Sequence, residues 1–289
     1  MERKGSVKEI SNKVTFLTVE KKIVEVSLPG MAKNWVKTEA EIKRLRESSR
    51  RLASVLDRVM ASVQPGMTTI ELDILAEKLI REEGGTPIFK GYGAGSGRPF
   101  PASLCVSLNN EVVHGIPSAN RTILEGDLLK LDIGMRFEGM VSDMARTMAV
   151  GTVAPEAMRL LEVTKESLDR GIAELRPGAP ISAYAGAVQS FVEANGFSVV
   201  RDLVGHGVGH ELHEDPQVPN YTSRHMHDFV LKAGMTLALE PMVNAGTFAV
   251  RIAPDDWTFI TSDGKLSAHF EDTVVITADG AEVLTRIVR

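Results

Sequence analysis

Four carboxylates stand in segments that are otherwise largely hydrocarbon. Asp132 lies in LLKLDIGM, Asp143 in MVSDMARTM, Glu240 in TLALEPMVN and Glu271 in LSAHFEDTVVIT. Between the first two sits Glu138-Gly139, a pair suited to a two-residue hairpin turn. Such a turn pairs Phe137 with Met140 and Gly134 with Asp143. Strand alternation then puts Asp132 and Asp143 diagonally on one face, roughly 7 to 8 Å apart at the backbone. Two like charges on an apolar surface need protons, a cationic side chain or a metal ion to compensate them. Arg146 is the local candidate cation. The further acids, Glu240 expected inside an apolar strand and Glu271 at the start of another, favour a metal site over a single ion pair.

Imidazoles come from LVGHGVGHELHEDPQV, which carries His206, His210 and His213 among glycines that permit close backbone approach. The helical zinc-protease motif is excluded, because it needs glutamate directly after the first histidine and here His206 is followed by Gly207. Several carboxylates with one or more imidazoles suit Mn, Fe(II), Co or Zn, often as a carboxylate-bridged pair. The chemistry of such a pair is metal-assisted hydrolysis.

These residues need a frame to hold them. TEAEIKRLRESSRRLASVLDRVMASV places Ile42, Leu45, Leu52, Val55, Leu56 and Val59 on one helical stripe, with a Thr38/Glu41 capping box at its start. A second helix follows in TTIELDILAEKLIREE. The grammar then repeats: Pro65-Gly66 and Gly84 return as Pro177-Gly178 and Gly196, at one common offset. Two related halves, each a helix pair followed by strands, are expected. Helices and hairpins without βαβ alternation indicate an α+β fold. GYGAGSG lacks the features of a phosphate-binding loop.

Composition narrows the class. The chain has 289 residues, 43% of them hydrophobic, and a net charge of −5. That gives no support for a nucleic-acid site. A single cysteine, Cys105, excludes an internal disulfide framework and any multi-cysteine zinc site, and suits a reducing compartment. No apolar run approaches the ~18 residues of a membrane span, and the N-terminus lacks a signal-peptide core. A soluble cytoplasmic protein is expected. The segment 1–36 holds seven Lys or Arg against four acids and suggests short strands at the periphery, or a docking segment.

Five ordered motifs, SLNNEVVHGIP, LDIGMRFEGMVSDMARTM, GHGVGHELHEDPQVPN, LALEPMVN and SAHFEDTVVIT, resemble those of type I methionine aminopeptidases in the pita-bread superfamily. The resemblance implies two pseudo-symmetric halves of helix pairs on a curved antiparallel sheet. It divides the chain into an N-terminal extension, 1–37, and a catalytic domain, 38–289. It implies two divalent ions held by Asp132, Asp143, His206, Glu240 and Glu271, with Asp143 and Glu271 bridging them. Asp132 would serve one ion, and His206 and Glu240 the other. A water between the ions would attack the scissile carbonyl, with Glu240 moving its proton. His213 would stabilise the carbonyl oxygen and His114 would contact the scissile amide. Cys105, Phe100, Tyr92 and Trp257 would wall the pocket for the first side chain.

The implied activity is removal of initiator methionine from nascent polypeptides with a small second residue, by a monomer; the ribosome is the candidate partner for docking by the first 36 residues. The short stretch from His213 to Glu240 leaves no room for the insertion of type II enzymes. Two departures touch the pocket: a longer loop before Cys105, with Phe100 where tyrosine is common, and Leu212 where phenylalanine is expected. His210 is expected to be structural, and His225, His227 and His269 not to be ligands. The rival readings are an Xaa-Pro dipeptidase or aminopeptidase P of the same fold, and a non-catalytic binding protein on that scaffold.

Overall fold

The computed structural model describes residues 35–287; the strands expected ahead of Trp35 lie outside it. The first half runs α1 (Glu39–Ser62), α2 (Thr69–Glu82), β1 (Thr86–Pro87), β2 (Leu104–Leu108), β3 (Glu111–Val113), β4 (Leu128–Phe137) and β5 (Met140–Ala149). The second begins with α3 (Pro155–Ala173), α4 (Ile181–Ala194), β6 (Ser198–Val199), β7 (Gly205–Gly207), β8 (Glu214–Val218) and β9 (Thr236–Leu239). It closes with β10 (Met242–Asn244), β11 (Val250–Ile252), β12 (Phe259–Thr261), β13 (Ser267–His269), β14 (Glu271–Ile276) and β15 (Ala281–Val283).

Helix α1 starts where its capping box lies. The Thr38 N–H donates to Glu41 Oε2 at 2.8 Å, and the Glu41 N–H donates back to Thr38 Oγ1 at 3.3 Å. All six residues of its stripe are buried. Leu52, Val55, Leu56 and Val59 pack on Leu131, Ile133 and Met144 of β4 and β5, each contributing about 1.5–3 kcal/mol. Helices α3 and α4 cover Leu237 and Leu239 of β9 and Val274 and Ile276 of β14 in the same way.

The main sheet, among the described residues, runs β1-β4-β5-β14-β9-β7-β8, with β2 also pairing β4 and β15 pairing β14. The β4–β5 hairpin has the expected register, Phe137 opposite Met140 and Gly134 opposite Asp143. Glu138 and Gly139 both take positive φ, 46° and 80°, as a turn matched to strand twist requires.

The two halves match closely. Helices α2 and α4 are equally long, and the offset between them is the one that separates Pro65-Gly66 from Pro177-Gly178. The bridge Thr68–Thr122 is repeated as Pro180–Val230. Past that bridge the offset is that of Thr122 to Val230, and it carries Asp132 onto Glu240. This is the two-half pita-bread arrangement, α+β in class. Trp35, Val36 and Lys37, at the end of the expected extension, pack on the body: Trp35 meets Phe229 edge-on at 5.5 Å, and the Lys37 N–H donates to the Gly234 carbonyl at 2.8 Å. Among the described residues no helix is long and apolar enough to cross a membrane.

Candidate metal centre and substrate pocket

Sheet register gathers four of the five candidate donors. Cys105 on β2 is opposite Asp132 on β4, Asp132 is opposite Ala145 on β5, and Ala145 is opposite Glu271 on β14. Opposed residues share a face, as do residues two apart, so Asp143 joins Asp132 and Glu271. Thr273 on β14 is opposite Ala238 on β9, and Ala238 is opposite His206 on β7. His206 therefore looks out of the same face, the one turned away from the helices. Glu240 departs from expectation. It lies one residue past the end of β9, ahead of Pro241, in a break before β10. Proline lacks the N–H that would continue the ladder.

Ligand atoms of Asp143, His206 and Glu271 lie within 4.8 Å of one another. His206 Nε2 is 3.4 Å from Glu240 Oε1 and 3.9 Å from Asp143 Oδ2. The other ring nitrogen, Nδ1, is 2.9 Å from the Gly207 carbonyl. It must donate there, which leaves a lone pair on Nε2 aimed at the acids. Gly205 and Gly207 flank it because β7 is squeezed between β8 and β9. A Cβ on either would come within 2.4 Å of a neighbouring backbone oxygen.

The acids are buried and uncompensated. Burial pushes the Asp132 carboxyl up to about 7. Burial, and then the charge of Asp132, pushes Asp143 well above the carboxylate range. Burial and the neighbouring acids do the same to Glu240 and Glu271. Burial also lowers His206 to about 4, so its imidazole is neutral. Arg146 does not supply the missing charge. It sits three residues from Asp143, hence on the opposite face, where it donates to Asp272 Oδ1 at 2.6 Å and to the Glu271 carbonyl at 2.5 Å. Among the described residues no lysine or arginine pairs with any of the four acids. Asp132 Oδ1, Asp143 Oδ1 and Glu271 Oε1 have no hydrogen-bond partner. Orphaned buried carboxylate oxygens beside an imidazole lone pair are a donor set that fits divalent cations.

An apolar cluster adjoins the acids: Phe89, Phe100, Ala102, Cys105, Val208 and Leu212, with Tyr92 and Trp257 packed against it. Loop 91–100 is long but closes on itself. The Gly91 N–H donates to the Phe100 carbonyl, and the Phe100 N–H donates to the Tyr92 carbonyl, both at 2.8 Å. Ala94, Gly95, Gly97, Arg98 and Pro99 are therefore exposed, while Phe100 is buried and stacks edge-on against Trp257 at 5.3 Å. Burial and the acids raise the Cys105 thiol well above its usual range, so it stays neutral.

Two histidines border the acids. Tyr92 Oη lies 2.5 Å from His213 Nδ1, and the His213 ring is 4.4 Å from that of His206. His114 is held edge-on by Trp257 and Phe259, at 6.4 and 5.9 Å. It is one of few non-glycine residues with positive φ, 59°, a conformation that must be supported by its surroundings. Burial lowers its imidazole to about 4.

His210 lies away from the acids and meets Glu41 Oε1 at 2.7 Å. His225 and His227 are exposed on a loop. Sequence reasoning passed over Phe89, whose only signal is its place just before the Lys90-Gly91-Tyr92 turn. It also set aside His269, which the structure buries beside Glu240, with Nε2 3.7 Å from Oε2.

Residues 43–278 match the family described as metallopeptidase family M24. A methionine aminopeptidase of Clostridium perfringens is 46% identical over 253 residues, which are 87% of this chain and 98% of that protein. The crystal structure of methionine aminopeptidase from Thermotoga maritima is similar with a TM-score of 0.83 at 40% identity, covering 87% of this chain and 99% of that one. Prolidase from Pyrococcus furiosus shares the fold with a TM-score of 0.69 at 23% identity, covering 88% of this chain but 66% of its own.

Proposed function

The chain belongs to metallopeptidase family M24 and, within it, to the methionine aminopeptidases; on that premise we propose that it removes N-terminal methionine from nascent polypeptides whose second residue is small. The observation that carries this reading is the set of four donors on one sheet face, Asp132, Asp143, His206 and Glu271, with Glu240 beside His206 just past the end of β9, and buried acids that no cation among the described residues compensates. It is a metalloenzyme. We assign Asp132, Asp143, His206, Glu240 and Glu271 as the residues that would hold two divalent ions of the Mn, Fe(II), Co or Zn kind. When bound, such ions supply Lewis acidity, polarising a carbonyl and acidifying water at neutral pH.

The chain's own groups do the rest. The methionine side chain enters between Phe89, Phe100, Cys105 and Trp257, an apolar pocket suited to a polarisable thioether. The Tyr92 hydroxyl, kept protonated by burial, donates to His213 Nδ1. That fixes the His213 proton on Nε2, where it donates to the scissile carbonyl oxygen as negative charge develops. His114, neutral and fixed by two aromatic edges, meets the scissile amide nitrogen. Glu240 takes a proton from the attacking water and delivers it to the leaving amine.

The expected result is cleavage of Met-Ala-Ser by the Mn-, Co- or Fe(II)-loaded protein, with Met-Lys-Ser left intact. Equal cleavage of both would remove the specificity assignment. Preferential cleavage of Xaa-Pro peptides would transfer the site to the proline-directed members of the fold. We further assign the enzyme to the cytoplasm as a monomer, with residues 1–37 as an N-terminal extension to the catalytic domain 38–289. Cosedimentation with ribosomes, lost on deleting them, is the check on their role.

A further inference from the structure

His269 is an anomaly in the core. It is 1% exposed, and neither ring nitrogen has a hydrogen-bond partner. A buried donor without a partner is costly, and hydrocarbon of the same shape would avoid that cost. The backbone of His269 is tied down on both sides by Thr147, whose Oγ1 donates to its carbonyl at 2.7 Å and accepts from its N–H at 2.9 Å. The backbone of His269 is therefore held, and Nε2 lies 3.7 Å from Glu240 Oε2.

Glu240 is the member of the acid set that most needs an external hold. Asp132, Asp143 and Glu271 project from ladder-bonded strands, whereas Glu240 stands in the break between β9 and β10. Its backbone is anchored: Asn220 Nδ2 donates to the Glu240 carbonyl at 3.1 Å, and the Tyr184 hydroxyl donates to Asn220 Oδ1 at 2.7 Å. Its carboxylate has no such anchor. One oxygen, Oε1, faces His206, and the other, Oε2, faces His269.

We propose that His269 is a positioning residue whose Nε2–H donates to Glu240 Oε2 in the working enzyme, clamping the carboxylate so that Oε1 stays turned toward His206. Closing the gap takes roughly 0.8 Å of side-chain movement, given an ordinary bond near 2.9 Å. Imidazole–carboxylate pairs of this kind fix the orientation of a metal-facing group, and losing one typically costs 10–100-fold in affinity or activity. The inference rests on the reading of Glu240 as a metal-facing, proton-carrying carboxylate.

The test compares His269→Gln, which keeps an N–H donor of similar reach, with His269→Leu, which keeps the volume and removes the donor. Full-length proteins are assayed for Met-Ala-Ser cleavage with Mn(II), for Mn(II) affinity by calorimetry after metal stripping, and for thermal midpoint. His269→Gln should keep kcat and Mn(II) affinity within about 3-fold. His269→Leu should lose about 10–100-fold in kcat and about 10-fold in Mn(II) affinity, with KM within about 2-fold and the stripped protein's midpoint unchanged or higher. The clamp is overturned if His269→Leu keeps both kcat and affinity, or if the two variants fall equally. Should the parent protein not cleave Met-Ala-Ser at all, the functional reading fails, while the calorimetric comparison still decides the role of His269.

Discussion

Replacing Lys37 by methionine should cost stability and activity together, because this lysine ties the start of the described chain to the loop that carries His213. Its ammonium donates to Glu214 Oε2 at 2.7 Å, with the two side chains 1% and 18% exposed. Glu214 Oε1 accepts the N–H groups of His210 and Glu211, at 2.5 and 2.9 Å. Burial alone would raise the Glu214 carboxyl, but Lys37 and those N–H donors outweigh it and hold it below the usual value. Exposed pairs contribute about 0–1 kcal/mol, and breaking a fully buried pair costs about 3–5. One end of this pair is buried and the other is nearly so, which places its loss near 2–3 kcal/mol. In a chain of this size that is a drop of roughly 4–6 °C.

A double-mutant cycle of Lys37→Met and Glu214→Gln, followed by urea melts, should return a coupling of about 2 kcal/mol. The sign with pH comes from the lowered carboxyl. The stabilisation is complete above the unfolded value near 4.5 and fades as pH falls through the folded value. Because Glu214 adjoins His213, kcat on Met-Ala-Ser should fall about tenfold in either single variant. A coupling below about 0.5 kcal/mol would make the pair incidental. Full kcat in a destabilised Lys37→Met variant would refute its link to His213.

Adding Mn(II) to the metal-stripped protein at about a hundred times Kd should stabilise it by about 2.7 kcal/mol, and a melting curve indifferent to the ion would contradict the use of these acids as ligands. Gly134→Ala should crowd the pocket, since its Cβ would fall 2.6 Å from Ile88 Cγ2 and 2.7 Å from Phe89 Cε1; a KM raised several-fold with a loss of about 1–3 kcal/mol is expected, and an unchanged KM would remove Phe89 from the wall. Lys130 is 1% exposed, donates to the Asn109 and Ser267 carbonyls, and is brought down to about 7 by burial. Between pH 7 and the unfolded value near 10.5 the unfolded chain holds a proton that the folded one lacks, so this group makes stability rise with pH by at most ~1.4 kcal/mol per unit. Urea midpoints at pH 7 and 9 should show that rise in the parent protein and not in Lys130→Met.

Local chemistry made much of this legible. Glu138-Gly139 specifies a turn, the turn specifies the register, and the register puts Asp132 and Asp143 on one face. Thr38 and Glu41 mark the start of α1 because a capping box is a four-residue event. Strand parity also bears on Arg146: an odd number of residues from Asp143, it belongs to the other face and cannot be the counter-charge. Other features have no local signature. Lys37 and Glu214 are far apart in the chain and meet only because the halves close. Glu240 reads as a strand residue from its apolar neighbours, and its displacement depends on the course of the chain beyond Pro241. Loop 91–100 reads as a departure in length, but its return through Gly91 and Phe100 is a matter of tertiary hydrogen bonds.

The match between halves bears on ancestry. The two half-sheets meet along β5 and β14, where only Ala145–Glu271 and Met144–Asp272 are paired. Asp132 and Asp143 lie on one side of that seam, and His206, Glu240 and Glu271 on the other. A single half standing alone would display only part of the candidate donor set, along an open sheet edge. Two copies joined edge to edge would complete the set. The seam therefore has the character of a former subunit boundary made permanent by duplication and fusion. Once the copies shared one chain they were free to diverge, aspartates in one and glutamates with a histidine in the other.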